Sequence, residues 1–172
     1  MLASTASPLP YAHLVLALVY VGGMAFTGGL LIPAARRLRE PVAALEWTGQ
    51  AIKILHPILL ACLGLSIMTG AGMLTELKVV LGGRYFDHVF STLGPKLLVV
   101  FILALLNSYQ FFGLGLPLSR SIPEVAEGPT GMPQEQMTAL LTLMGRLQRC
   151  AWAAAVLAGV AGVLGLALRR GW

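Results

Sequence analysis

The chain has 172 residues, 57% hydrophobic and 11% charged, with a mean hydropathy of +0.81, whereas soluble domains carry about a quarter charged residues. These figures exclude an ordinary soluble domain and predict an all-α integral membrane protein, a single domain built as a bundle of four transmembrane helices. The net charge of +5, from 12 Lys+Arg against 7 Asp+Glu, gathers at the ends of apolar runs, which points to membrane topology and lipid headgroups and not to nucleic acid.

A spanning helix needs about 20 apolar residues, and four segments qualify: Ala12–Ile32, Ile54–Leu74, Leu93–Phe112 and Cys150–Leu168. The N-terminal stretch MLASTASPLPYAH lacks the basic start of a signal peptide, so the first run is read as a retained span. Arg36, Arg37 and Arg39 follow it. Pro41 suits the first turn of a helix that runs through Trp47 and Lys53 into the second span. Residues 114–136 read as a Pro/Gly/Glu-rich cytoplasmic loop. Pro133 then opens a helix in which Met137, Leu140, Leu141, Met144 and Leu147 recur at helical spacing on the way to the fourth span.

An even number of spans puts both termini on one side. The first and third connections carry seven basic residues against four on the other side, so the positive-inside rule predicts both termini outside, in a multi-pass protein of the cell membrane, inner or plasma. Cys62 and Cys150 have no C-x-x-C spacing and read as small buried hydrophobes. Small residues recur as Ala154, Ala158 and Gly162 in the fourth span and as Ala25 and Gly29 in the first. Their default role is close helix packing, and a groove of this kind also suits the flat face of a porphyrin.

Ionisable groups at membrane depth are costly and usually functional. His13 and Tyr20 are two helical turns apart, on one face with Gly23, Met24 and Thr27. Lys96 opens the third span, and Asn107 returns to the same face about 16 Å deeper. With both termini outside, His13 and Lys96 enter at similar depth, and His88, in GGRYFDHVFSTLGPK, reaches that level beside Arg84. His56 opens the second span from the opposite side, about 25 Å from His13 along the membrane normal. Axial ligands of one metal stand only about 4 Å apart, so His56 serves a second site or lies at the interface. Taken singly, His13 reads as a headgroup contact, Lys96 as a snorkelling lysine and Asn107 as interhelical glue. On converging faces of two helices they mark a candidate site.

These segments carry a family resemblance. The first has His13, then Tyr20-Val21-Gly22-Gly23, then Pro33; the second is HPILLACLGLSIMTGAGML, with a proline near its start and Thr69-Gly70 near its end. The third is LGPKLLVVFILALLNSYQ, with a lysine at its head, and the fourth is GRLQRCAWAAAVLAGVAGVLGLAL, where a basic approach precedes an alanine-rich span. Over roughly residues 11 to 168 the chain resembles the superfamily of small four-helix membrane proteins that includes HemJ-type protoporphyrinogen oxidases and CopD-like copper-resistance membrane domains. The resemblance implies a haem b site with the first-helix histidine, here His13, as axial ligand and the third-helix lysine, here Lys96, as its neighbour.

The function expected from these readings is electron transfer by a b-type haem protein, as a small subunit of a larger respiratory or quinone-linked complex. One haem b is expected, or two if His56 holds a second. His13 is the leading iron ligand, with His88 and His56 as further candidates, and Lys96, Tyr20, Asn107 and Arg84 are the expected cofactor-binding residues. A HemJ-like oxidase, a copper-handling or transport protein, and a structural subunit without a cofactor stand as alternatives. Expected partners are the lipid bilayer and other membrane subunits or a second copy of the chain.

Overall fold

The computed structural model describes residues 7–84, 93–120 and 133–170, without the side chains of residues 77, 80, 81, 84 and 167–170. Among the described residues there are four helices long and apolar enough to cross a membrane. We number them α1 (Leu9–Ala35), α2 (Pro41–Leu81), α3 (Gly94–Arg120) and α4 (Gln134–Arg170). Helix is the conformation expected of such runs, because hydrocarbon offers backbone amides no partner outside their own segment.

Two helices outlast the bilayer, as their prolines predict. Pro41 occupies the first turn of α2, whose 41 residues run without interruption past Pro57. Glu40 stands just outside, its carbonyl accepting from the amide of Ala44. Pro133 plays the corresponding part for α4, accepting from Met137 N–H. At 1.5 Å per residue, α2 is about 60 Å long against a hydrocarbon thickness of about 30 Å. The excess lies at what we call the loop end, which holds the α1–α2 connection, the end of α3 and the start of α4.

The expected loop over 114–136 is shorter than its composition suggests. Helix α3 continues to Arg120 and α4 starts at Gln134; residues 121–132 lie outside the described part. What carries α3 through Pro117 is a π-helical stretch, Tyr109–Gly115. A second one, Thr27–Leu31, lies in α1 just before Pro33. A proline ring crowds the carbonyl four residues earlier, and a wide turn at that place removes the clash without ending the helix.

The first and last helices lie antiparallel, with Trp152 beside Gly28 and Gly29, so both chain ends fall at one end of the bundle, the terminal end. Helix α1 sits between α2 and α4, and α3 packs on α4 and meets α2 through its π-helical stretch. The apolar core has two parts. One, at the loop end, joins Leu31, Ile32, Ala44, Leu45, Ile52, Leu114, Leu118, Leu140, Met144 and Leu147. The other, at mid-membrane, joins Tyr20, Met24, Leu59, Leu63, Leu103, Ala151, Ala154 and Ala155.

Toward the terminal end the core thins out. Among the described residues, Leu93 is the one buried apolar side chain there. Small residues divide in the same way. Gly28 and Gly29 let the indole of Trp152 lie against α1, where a β-carbon at residue 28 would stand 3.0 Å from it. Gly159 and Gly162 of α4 meet nothing within 4 Å.

Candidate functional site

His13 is half-buried and turned toward α2. Its Nδ1 stands 2.9 Å from the carbonyl oxygen of Ser66, 3.2 Å from Oγ1 of Thr69 and 3.4 Å from Oγ of Ser66. A carbonyl can only accept, and the Thr69 hydroxyl already spends its hydrogen on the carbonyls of Leu65 and Ser66. In the neutral ring, Nδ1 is therefore the nitrogen that carries the hydrogen and Nε2 the one with the lone pair. Gly70 supplies the room, since a β-carbon there would come 3.3 Å from the ring. Among the described residues Nε2 has no hydrogen-bond partner.

Seven residues on, Tyr20 is 2% exposed, and its hydroxyl donates to Oδ1 of Asn107 at 3.3 Å. The two faces inferred from helical spacing thus meet at mid-membrane. Among the described residues Asn107 Nδ2 has no partner, and one turn further Gln110, 1% exposed, has none for either Nε2 or Oε1. Below them Thr27 closes on its own helix by donating to the Gly23 carbonyl. In the π-helical stretch of α1 the Gly28 carbonyl accepts from Gln148 Nε2 of α4 at 3.0 Å.

Lys96 lies at the terminal end but on another wall. It is half-exposed, and its ammonium stands over Gly165 of α4, 3.1 Å from where a β-carbon would sit. His13 leans on α2 and Lys96 on α4, so the two share an end of the bundle and not a contact surface. Arg84 closes a short 3-10 turn, Gly82–Arg84, but its side chain lies outside the described residues, as does all of His88.

His56 occupies the opposite end. It is 6% exposed, its ring 6.5 Å from that of Phe111, and it borders a cavity between α2 and α3. Its contacts separate it from His13 by less than the roughly 25 Å expected from the span limits: Ser66, which holds His13, is ten residues along α2, about 15 Å, because α1 and α2 are offset along their axes. The two histidines do not share a metal.

Sequence reasoning found Tyr20, Asn107 and His13 but not their settings. It overlooked Ser66, Thr69 and Gly70 as the cradle of His13, although Ser66 and Thr69 are hydroxyls inside an apolar span. It also passed over Gln110, one turn from Asn107 on the same face. Cys62 and Cys150 are free and half-buried. Among the described residues no three His, Cys, Asp or Glu side chains come together as a metal cage. No protein-family model, curated protein or solved structure matches the chain, so its chemistry is read from its own side chains.

Proposed function

We propose that the chain is a b-type haem protein of the cell membrane that passes electrons, as a small subunit of a respiratory or quinone-linked assembly, with its terminal end outward. The observation that carries this reading is the hydrogen bonding of His13. An imidazole whose Nδ1–H is fixed to a backbone carbonyl presents a basic, oriented Nε2, which is the arrangement of metal-bound histidines in general. The donor set fits a haem, which needs one protein imidazole and not a cage of three ligands.

The surroundings support it. The half of the bundle that holds His13 has little buried apolar side chain of its own. Gly162 leaves open space on α4, and Lys96 beside Gly165 offers a cation to a propionate. When bound, the haem supplies a one-electron Fe(III)/Fe(II) couple. Ser66 and Thr69 hold the ring of His13, and the Tyr20–Asn107 pair lies about two turns deeper along α1. The oxidase alternative is disfavoured because the first span ends in IPAARRL, without the histidine-ending basic-aromatic stretch of that branch. Copper handling draws no support from Met68, which is 70% exposed on the lipid side of α2.

A dithionite-reduced minus oxidised visible spectrum of the purified protein tests this. Wild type shows b-type bands, His13→Ala loses them, and Lys96→Gln keeps them with a shifted midpoint potential. Absence of haem from a pyridine extract of wild type refutes the proposal.

A further inference from the structure

At the loop end a cavity of about 80 Å³ opens between α2 and α3, bordered by Ile52, Lys53, His56, Phe111, Gly115 and Ser119. It is distinct from the His13 region by position and by chemistry. Its shape depends on one backbone feature. The π-helical stretch of α3 ends at Gly115, and a β-carbon there would fall 2.7 Å from Nδ1 of His56 and 3.1 Å from Cε1. Any other residue at 115 would push the imidazole out of its place.

The polar groups at this cavity are short of partners. His56 is 6% exposed, yet neither ring nitrogen has a hydrogen-bond partner among the described residues. Unlike the amide of Gln110, its ring nitrogens are not among the fully enclosed unpaired atoms, so the imidazole, which lines the cavity, is open to a ligand there. Lys53 stands exposed at the mouth, without an ion pair among the described residues. Among the described residues no carboxylate lines the cavity. Ser119 spends its hydrogen on the Leu116 carbonyl at 3.0 Å, so its oxygen is left to accept.

A ligand matching these groups carries an anionic oxygen for Lys53 and His56 and a hydroxyl for Ser119. It also has an apolar body, because the rim is lipid-facing: Ile54 is 69%, Ile58 50% and Phe112 62% exposed. We propose that this cavity binds the phosphodiester headgroup of an anionic, hydroxyl-bearing membrane lipid, with its acyl chains lying along Ile54, Ile58 and Phe112. Basic pockets between membrane helices at the polar boundary commonly take such headgroups.

The test is native mass spectrometry of the detergent-purified full chain titrated with phosphatidylglycerol or phosphatidylcholine. Wild type binds one phosphatidylglycerol in preference to phosphatidylcholine. Lys53→Gln, an exposed change that leaves the fold intact, weakens that binding about tenfold, the worth of one charged hydrogen bond. Gly115→Ala weakens it similarly by displacing His56. Arg146→Gln, a remote cation near the same end, leaves it unchanged. Equal binding of the two lipids, or undiminished phosphatidylglycerol binding in Lys53→Gln, overturns the proposal. Displacement of the lipid by inorganic phosphate at equal concentration overturns it too, by making free phosphate the ligand.

Discussion

Gln110 gives the sharpest physical test of the mid-membrane polar cluster. Its side chain is 1% exposed, and neither its amide nitrogen nor its amide oxygen has a partner among the described residues. A buried polar group left unsatisfied costs about 1–3 kcal/mol, and an apolar replacement of similar shape removes that cost. Methionine matches glutamine in length and lack of branching and adapts to irregular space. Gln110→Met is therefore expected to stabilise the folded protein by about 1–3 kcal/mol. Asn107→Leu is a weaker probe, because it relieves one orphaned nitrogen but strands the hydroxyl of Tyr20, now bonded at 3.3 Å. The assay is unfolding in mixed micelles at rising dodecyl sulfate, followed by far-ultraviolet circular dichroism. A lower midpoint for Gln110→Met refutes the reasoning, since it means that the amide already holds a partner, whether water or ligand.

Other expectations follow from the same contacts. Tyr20→Phe removes the donor to Asn107 and leaves Oδ1 buried without one, which costs about 0.5–2 kcal/mol; an unchanged unfolding midpoint contradicts this. Two adjacent glycines respond with opposite sign to alanine. Gly22 faces open space, so Gly22→Ala gains about 0.5–1 kcal/mol of helix propensity. Gly23 packs directly on Leu59, which is 1% exposed, so Gly23→Ala overpacks the core at a cost of about 1–3 kcal/mol. The same unfolding assay on both variants checks the pair, and equal shifts rule out the packing argument.

The fold was legible where the solvent dictates it. A bilayer fixes the minimum length of an apolar helix, so the four runs around His13, Cys62, Asn107 and Ala158 announce themselves by length alone. Their ends did not, because apolar length reports only the lipid-facing part of a helix. Pro41 stands in the first turn of α2, whereas Pro133 lies just outside α4, directly before Gln134. Composition places Pro117 in a loop, but the wide turn of Tyr109–Gly115 keeps it inside α3.

The same wide turns explain why the site was only half legible. Counting in steps of 3.6 residues put His13 with Tyr20 and Lys96 with Asn107, each pair correctly at its own face of a straight helix. It could not say which neighbour each face meets. His13 is drawn to α2 by Ser66 and Thr69, while Lys96 finds the bare backbone at Gly165. A π turn also inserts one residue, which rotates everything after it by about 100° relative to an unbroken α-helix. The residues beyond the turn of α3 therefore escape ordinary helical counting, and with them the placement of Gly115 under His56. The signal was nonetheless in the chain. GGLLIP and GLGLP each set glycines before a proline, and at both the helix widens where those glycines stand, whereas α2 passes Pro57 as unbroken α-helix. Read in that way, the two motifs mark the points at which α1 exposes the Gly28 carbonyl to Gln148 and α3 makes room for a buried imidazole.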